Sequence, residues 1–285
     1  MQSFEDYLIS NIPKVETFHP HYNSALEYIV KNSGKHFRPK LLLSVVSAYE
    51  PLLIESSYKV ALALELFHTY SLIHDDLPCM DNSNLRRGKE TLHIIYNEAT
   101  ATLIGDALNT YAFELISTSA FRSDVIVELV KILATNGGVS GMVLGQAIDL
   151  EFENTPLTLK QVEHLHTNKT AKLIASSLLM GAVIVGLEKD KKDRLYNFGL
   201  DLGLLFQVQD DIIDVTSTQS EAGKPIGSDE DKNSFINIIG LEASLEYANS
   251  LASKLEEEFK SFDSNLQTSL KELLDKYLYR HKIKD

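Results

Sequence analysis

Two aspartate clusters close long apolar stretches in this chain, and that juxtaposition constrains it more than any other feature. The almost continuously apolar run Val60 to Ile73 leads into Asp75-Asp76-Leu77-Pro78-Cys79-Met80-Asp81, and a second stretch leads into Asp210-Asp211-Ile212-Ile213-Asp214. Carboxylates set beside core sequence are costly unless something positive neutralises them, and hard oxygen ligands of this kind suit Mg²⁺. Two such clusters, each after an apolar helix, read as metal-holding walls; a single isolated DDxxD would fit a solvated helix end equally well.

The rest of the pattern is helical. Nearly every long segment has a period near 3.6, and none shows convincing strand alternation, so the expected fold class is all-α, with helices around a helical centre. Val60 to Ile73 and Ala171 to Leu187 are apolar on all sides and belong in the interior. Leu245, Ala248, Leu251, Leu255 and Phe259 form one stripe on a charged helix, which belongs at the periphery. Thr158 and Gln161 are spaced for a capping box at a helix start. Residues 217–234 are long, polar and glycine-containing, the signature of a working loop rather than an idle one.

A chain of 285 residues is near the upper limit of one hydrophobic core, so one domain spanning 1–285 is the default. The net charge of -13 argues against binding nucleic acid or anionic lipid, both of which need a basic surface. The lone Cys79 excludes an internal disulfide and a four-thiolate zinc site, and reads as a small residue in a tight turn. The start Met1-Gln2-Ser3-Phe4 lacks a signal-peptide pattern, and no window looks able to cross a bilayer, Leu173 to Leu187 being interrupted by Ser176 and Ser177. The expected location is the cytoplasm.

At 100° per residue, Gly203, Gln207, Asp210 and Asp214 share one helix face, and Leu64, His68, Ser71 and Asp75 share another. Opposed across a cavity, these faces would supply carboxylates from both sides to several Mg²⁺ ions bridging an anionic ligand. Basic residues recur beside glycine or threonine next to the acidic helices: Gly34-Lys35 with Arg38, Arg86-Arg87-Gly88, Lys169-Thr170, and Gly223-Lys224 with Lys232. Arginine forks and lysine point charges bind phosphate oxygens, so the anion is expected to be a polyphosphate.

These motifs, in order, resemble the trans-polyprenyl diphosphate synthases, the family of farnesyl and geranylgeranyl diphosphate synthases. The matching segments are GKHFRP (34–39), HTYSLIHDDLPCMDNSNLRRGKETLH (68–93), GDAL (105–108), GMVLGQAIDL (141–150), HTNKTAKLI (166–174), FQVQDDIIDV (206–215) and GKPIGSDEDKNSF (223–235). The resemblance implies an isoprenoid synthase-type helical bundle around a deep cavity, usually a homodimer. Asp75, Asp76, Asp81, Asp210, Asp211 and Asp214 match the holders of a cluster of three Mg²⁺ ions on the allylic diphosphate. Arg86, Lys169 and Lys224 match residues on that diphosphate, with Lys232 and the backbone near Thr170 and Gln207 as supports. Lys35, Arg38, His68 and Arg87 match the isopentenyl diphosphate site. Gln146, Asp149 and His93 stand in motif segments without an assigned contact.

The implied chemistry is ionisation of an allylic diphosphate, attack by the double bond of isopentenyl diphosphate, and loss of a proton. It needs charge stabilisation on a leaving group and no side-chain nucleophile. Tyr70, five residues before Asp75, matches the position where a bulky residue stops growth at fifteen carbons, although Ser71 is the residue on the Asp75 face; Phe67 is a further wall candidate. The expected product is therefore farnesyl diphosphate, with geranylgeranyl diphosphate as the alternative. A terpene cyclase of the same fold fits less well, because the second aspartate motif is intact. Departures from the family pattern include Ser33, His36-Phe37, Asn82-Ser83-Asn84, Ala171 and Asn233-Ser234-Phe235, none of which removes a metal or diphosphate ligand.

Overall fold

A computed structural model of the chain describes residues 2–216 and 232–282. Helices dominate them: α1 (Phe4–Ser10), α2 (Tyr22–Lys31), α3 (Phe37–Tyr49), α4 (Ile54–Asp75), α5 (Leu92–Ile95), α6 (Glu98–Ser117), α7 (Ser123–Gly137), α8 (Met142–Glu151), α9 (Leu159–His166), α10 (Lys172–Ile184), α11 (Lys189–Thr216), α12 (Phe235–Ile239), α13 (Leu241–Lys260) and α14 (Ser264–Tyr277). Among the described residues the only strands are the two-residue pair β1 (Leu85–Arg86) and β2 (Lys89–Glu90), joined by Arg87 and Gly88, both with positive φ as a type I′ hairpin requires. The all-helical expectation therefore holds, with the hairpin as its one addition.

The apolar runs go where their composition sends them. α4 buries residues around its whole circumference, from Ser57 through Ile73, and α10 buries eleven of its thirteen. Side chains of α1, α2, α4, α6 and α7 form one half of the core, and those of α9, α11, α13 and α14 form the other. The helices α3 and α10 lie between the halves, alternating Leu42 and Val46 to one side with Leu41 and Val45 to the other. Each fully buried leucine there contributes about 1.5–3 kcal/mol relative to exposure. The charged helix α13 packs by Ser244, Ala248, Ala252 and Leu255, one edge of the predicted stripe.

Close helix approach decides where the second aspartate cluster sits. A Cβ built on Gly199 would lie 2.5 Å from the Ala175 backbone, and one on Gly203 would lie 2.4 Å from that of Ala171. These two glycines let α11 press its cluster-bearing half against α10 and against the π-helical turn Thr167–Ala171 that precedes it. The capping box forms, with the Thr158 amide donating to Gln161 Oε1 at 2.9 Å. Residues 217–231, including Lys224 and most of the expected loop, lie outside the described part.

One expectation needs correcting. Ser123–Glu151 is long and apolar enough to cross a membrane by length and composition, with mean hydropathy 1.3. The stretch is broken between Gly138 and Gly141 into α7 and α8, and α7 is tied to α11 by Tyr196 Oη donating to Asn136 Oδ1 at 2.5 Å and by Lys192 to Glu128 at 3.2 Å. The serines that break Leu173 to Leu187 bond back to their own helix, Ser176 to Lys172 O and Ser177 to Leu173 O.

Candidate functional site

The first acidic wall is the end of α4. Asp75 is its last residue and Asp76 its cap, so both carboxylates face the negative end of a helix and need positive company. Pro78 prevents continuation, and the chain folds back: the Asp81 amide donates to Asp75 O at 2.8 Å and the Ser83 amide to Asp76 O at 3.1 Å. That return brings Asp81 beside the pair. Burial pushes the Asp75 carboxyl up to about 6, against the pull of Lys169 and with the help of Asp81. Burial also raises Asp76, partly countered by Arg86. The Arg86 guanidinium grips Asp76 through Nε at 2.9 Å and Nη2 at 2.6 Å.

The second wall is the C-terminal half of α11. Gln207 donates to Asp211 Oδ1 at 2.9 Å and its Oε1 accepts from Thr170 Oγ1 at 3.1 Å, so the Thr170 and Gln207 side chains are tied to Asp211. The Phe235 amide donates to Asp211 Oδ2 at 2.8 Å, and Asp214 is buried. Asp210 receives Arg280, from the turn that follows α14. That arginine also donates to Gln209 Oε1 at 2.9 Å and Phe206 O at 2.8 Å, and lies over the Phe206 ring at 3.9 Å.

Two lysines answer the first wall. Lys232 Nζ lies 3.3 Å from Asp81 Oδ1, reaching from the segment beside α11 to the loop after α4. Lys169 sits in the π-turn, where Gly145 leaves no room for a Cβ against it, and its ammonium is 2.5 Å from Asp149 Oδ2. Burial opposes the Lys169 charge, but Asp149, Asp75 and Asp81 outweigh it and hold the amine above its usual value. The first wall thus meets Arg86, Lys169 and Lys232, and the second meets Arg280. Among the described residues no group of three acidic, histidine or cysteine side chains is gathered closely enough to hold a metal unaided.

A basic group lies beside the first wall. The Gly34 backbone runs so close to Arg87 that a Cβ would be 2.6 Å from its guanidinium carbon. Burial lowers Arg38 to about 10, with Glu65 opposing and Arg87 reinforcing, and Arg38 Nε is buried without a partner. Burial, then Arg38, Arg87 and Arg86, hold His68 well below the usual imidazole value, so it is neutral. Lys35 stands exposed in the turn before α3. Arg38, His68 and Arg87 are thus brought into mutual range, with the buried Glu65 as their acid; its place inside an apolar run was the signal that sequence reasoning passed over.

Tyr70 is buried and meets Phe67 edge-on at 4.8 Å and His74 at 5.7 Å. Phe67 meets Phe113 of α6 at 5.8 Å, and a Cβ on Gly137 would lie 2.2 Å from the Phe67 ring. Ser71 turns its hydroxyl to His68 O at 2.8 Å. Edge-to-face aromatic contacts therefore run along α4 ahead of Asp75. Gln146 keeps both side-chain polar atoms buried without partners, and His93 bonds Thr91 at 3.2 Å as a loop-fixing residue. Cys79 is exposed in the turn. A pocket of about 350 Å³ lined by Ile148, Leu157, Thr158, Lys160, Gln161 and His164, from α8, α9 and the turn between them, includes none of the aspartates.

Comparison with known proteins agrees with this geometry. Residues 19–273 match the family described as polyprenyl synthetase. The chain is 35% identical over 283 residues to the farnesyl diphosphate synthase of Micrococcus luteus, covering 97% of each. It is 40% identical over 270 residues to a chloroplastic geranylgeranyl pyrophosphate synthase of Capsicum annuum, covering 92% of this chain and 72% of that one. A Helicobacter pylori geranyltransferase, solved with magnesium and isoprenyl diphosphate, superposes with a TM-score of 0.91 at 49% identity over 95% of this chain and 93% of that one. With these matches spanning nearly its whole length, the chain belongs to the polyprenyl synthetase family and is a prenyltransferase, a short-chain trans-prenyl diphosphate synthase.

Proposed function

We propose that the protein is a farnesyl diphosphate synthase, one polyprenyl synthase domain that joins isopentenyl diphosphate to dimethylallyl and then geranyl diphosphate. The observation that carries the reading is that cations from three separate elements already neutralise aspartates of both walls: Arg86 on Asp76, Lys232 on Asp81 and Arg280 on Asp210. A site that gathers this much opposed charge is suited to a polyanion and divalent ions together. The donor set, clustered carboxylates of which Asp76 and Asp214 are buried and Asp75 is held near 6, fits Mg²⁺, with Asp75, Asp76, Asp81, Asp210, Asp211 and Asp214 as the holders and three ions as the expected number. Bound there, Mg²⁺ would supply Lewis-acid stabilisation to a departing diphosphate.

This chain's own groups do the remainder. Arg86, Lys169, Lys232 and Lys224 bind the allylic diphosphate, Lys224 lying outside the described residues. Arg38, Arg87, Lys35 and neutral His68 bind isopentenyl diphosphate, and the unpartnered Arg38 Nε supplies a buried donor ready for a phosphate oxygen. The edge-to-face Tyr70–Phe67 pair supports a fifteen-carbon limit. The alternative product, geranylgeranyl diphosphate, is favoured by the 40% identity to the pepper synthase named for it. A cytoplasmic homodimer is part of the same reading.

The test is incubation with labelled isopentenyl diphosphate, Mg²⁺ and each allylic primer in turn, followed by product chain-length analysis. Fifteen-carbon product is expected from dimethylallyl and geranyl primers. Twenty-carbon product would replace the first reading by the second. Cyclised hydrocarbon from farnesyl diphosphate alone would point to a terpene cyclase, and absence of any condensation would end the proposal.

A further inference from the structure

Asn233 stands at a position where the sequence departs from its family pattern, and its side chain is almost wholly enclosed. Its Oδ1 accepts from the Leu157 amide at 2.9 Å, and its Nδ2 donates to Phe152 O at 2.7 Å and Thr155 O at 3.1 Å. Because the partners are one amide and two carbonyls, the orientation of the carboxamide is fixed by its neighbours. Its backbone carbonyl is 3.2 Å from His166 Nε2, and burial keeps that imidazole neutral, down at about 4, so Nε2–H is the donor. One residue thus pins itself to the turn between α8 and α9 and to the end of α9.

The neighbours of Asn233 are the functional ones. Lys232, one residue before, carries the ammonium that meets Asp81, and its carbonyl accepts from Asn237 Nδ2 at 2.7 Å. Phe235, two residues after, is buried between the rings of His166 and Tyr247 and sends its amide to Asp211. Lysine is a flexible point charge, so its aim depends on where its own backbone is held.

We propose that Asn233 is a positioning residue that sets Lys232 opposite Asp81 by tying residues 232–235 to the 152–157 turn; its catalytic consequence rests on the function proposed above. Aspartate in its place would lose both donors, and alanine would lose all three bonds and leave the buried Leu157 amide without its acceptor.

Two measurements on the full chain test this. In the first, without substrate, the rate at which an acylating reagent labels Lys232 is followed by mass spectrometry relative to the other lysines. Asn233→Ala, and the milder Asn233→Ser should alanine fold poorly, are expected to label Lys232 several-fold faster; an unchanged ratio in the folded variant overturns the proposal. In the second, steady-state kinetics are compared in parent and Lys232→Ala backgrounds. Asn233→Ala is expected to lower kcat by roughly ten- to a hundredfold in the parent, as misplacement of a positioned group does, and by less than about twofold without Lys232. An equal loss in both backgrounds overturns the positioning role. Faster labelling in a protein that condenses nothing would leave the positioning intact and remove the proposed function instead.

Discussion

Removing Arg86 exposes how much of the first acidic wall is held by a single guanidinium. Asp76 keeps only 6% of its side-chain surface exposed, and Arg86 binds it through two nitrogens while remaining 34% exposed itself. Truncating one partner of a buried, hydrogen-bonded ion pair strands the other charge, at a cost of about 3–5 kcal/mol. For 285 residues the unfolding entropy is roughly 0.6 kcal/mol per degree, so Arg86→Ala should lower Tm by about 5–8 °C. Thermal unfolding is to be followed at pH 8 with a chelator present, where protonation of Asp76 gives least relief. Two comparisons isolate the cause: Asp76→Ala/Arg86→Ala should recover part of the loss, since no stranded charge remains, and Mg²⁺ should stabilise Arg86→Ala more than the parent. A variant melting within about 1 °C of the parent, or a double variant no more stable than the single, would refute the reasoning.

The metal-free protein should also respond to pH through Asp75. Burial holds its folded-state value near 6, above the unfolded carboxylate, so its contribution to stability is complete below about pH 4 and is lost as the pH rises through 6. The shift of about 2 units corresponds to roughly 3 kcal/mol. Between pH 4.5 and 7.5 in chelator, the parent should therefore lose stability relative to Asp75→Asn, and parallel curves would contradict this. Tyr70→Ala should lengthen the product beyond fifteen carbons while Tyr70→Phe leaves it unchanged. The alanine variant should lose about 3–5 kcal/mol of stability from truncating a buried aromatic, so product length is to be read well below its lowered Tm, and an unchanged product removes Tyr70 from the wall of the cavity.

The sequence by itself determined the helical class, the buried helices α4 and α10, the two acidic clusters and the cations proposed for phosphate, because periodicity and short motifs are local properties of the chain. Tertiary structure decided who answers whom. Arg86 meets Asp76 only because the chain reverses at Pro78 and a hairpin returns it. Arg280 meets Asp210 across 70 residues, and Asn233 meets Leu157 across 76, through turns whose polar composition carries no address. The same holds for Glu65, an acid in an apolar run whose neighbours Arg38 and Arg87 come from other segments. Partnership between distant charges depends on how helices cross, and crossing is set by close contacts such as Gly203 on Ala171, where the absent side chain matters only once both helices are packed together.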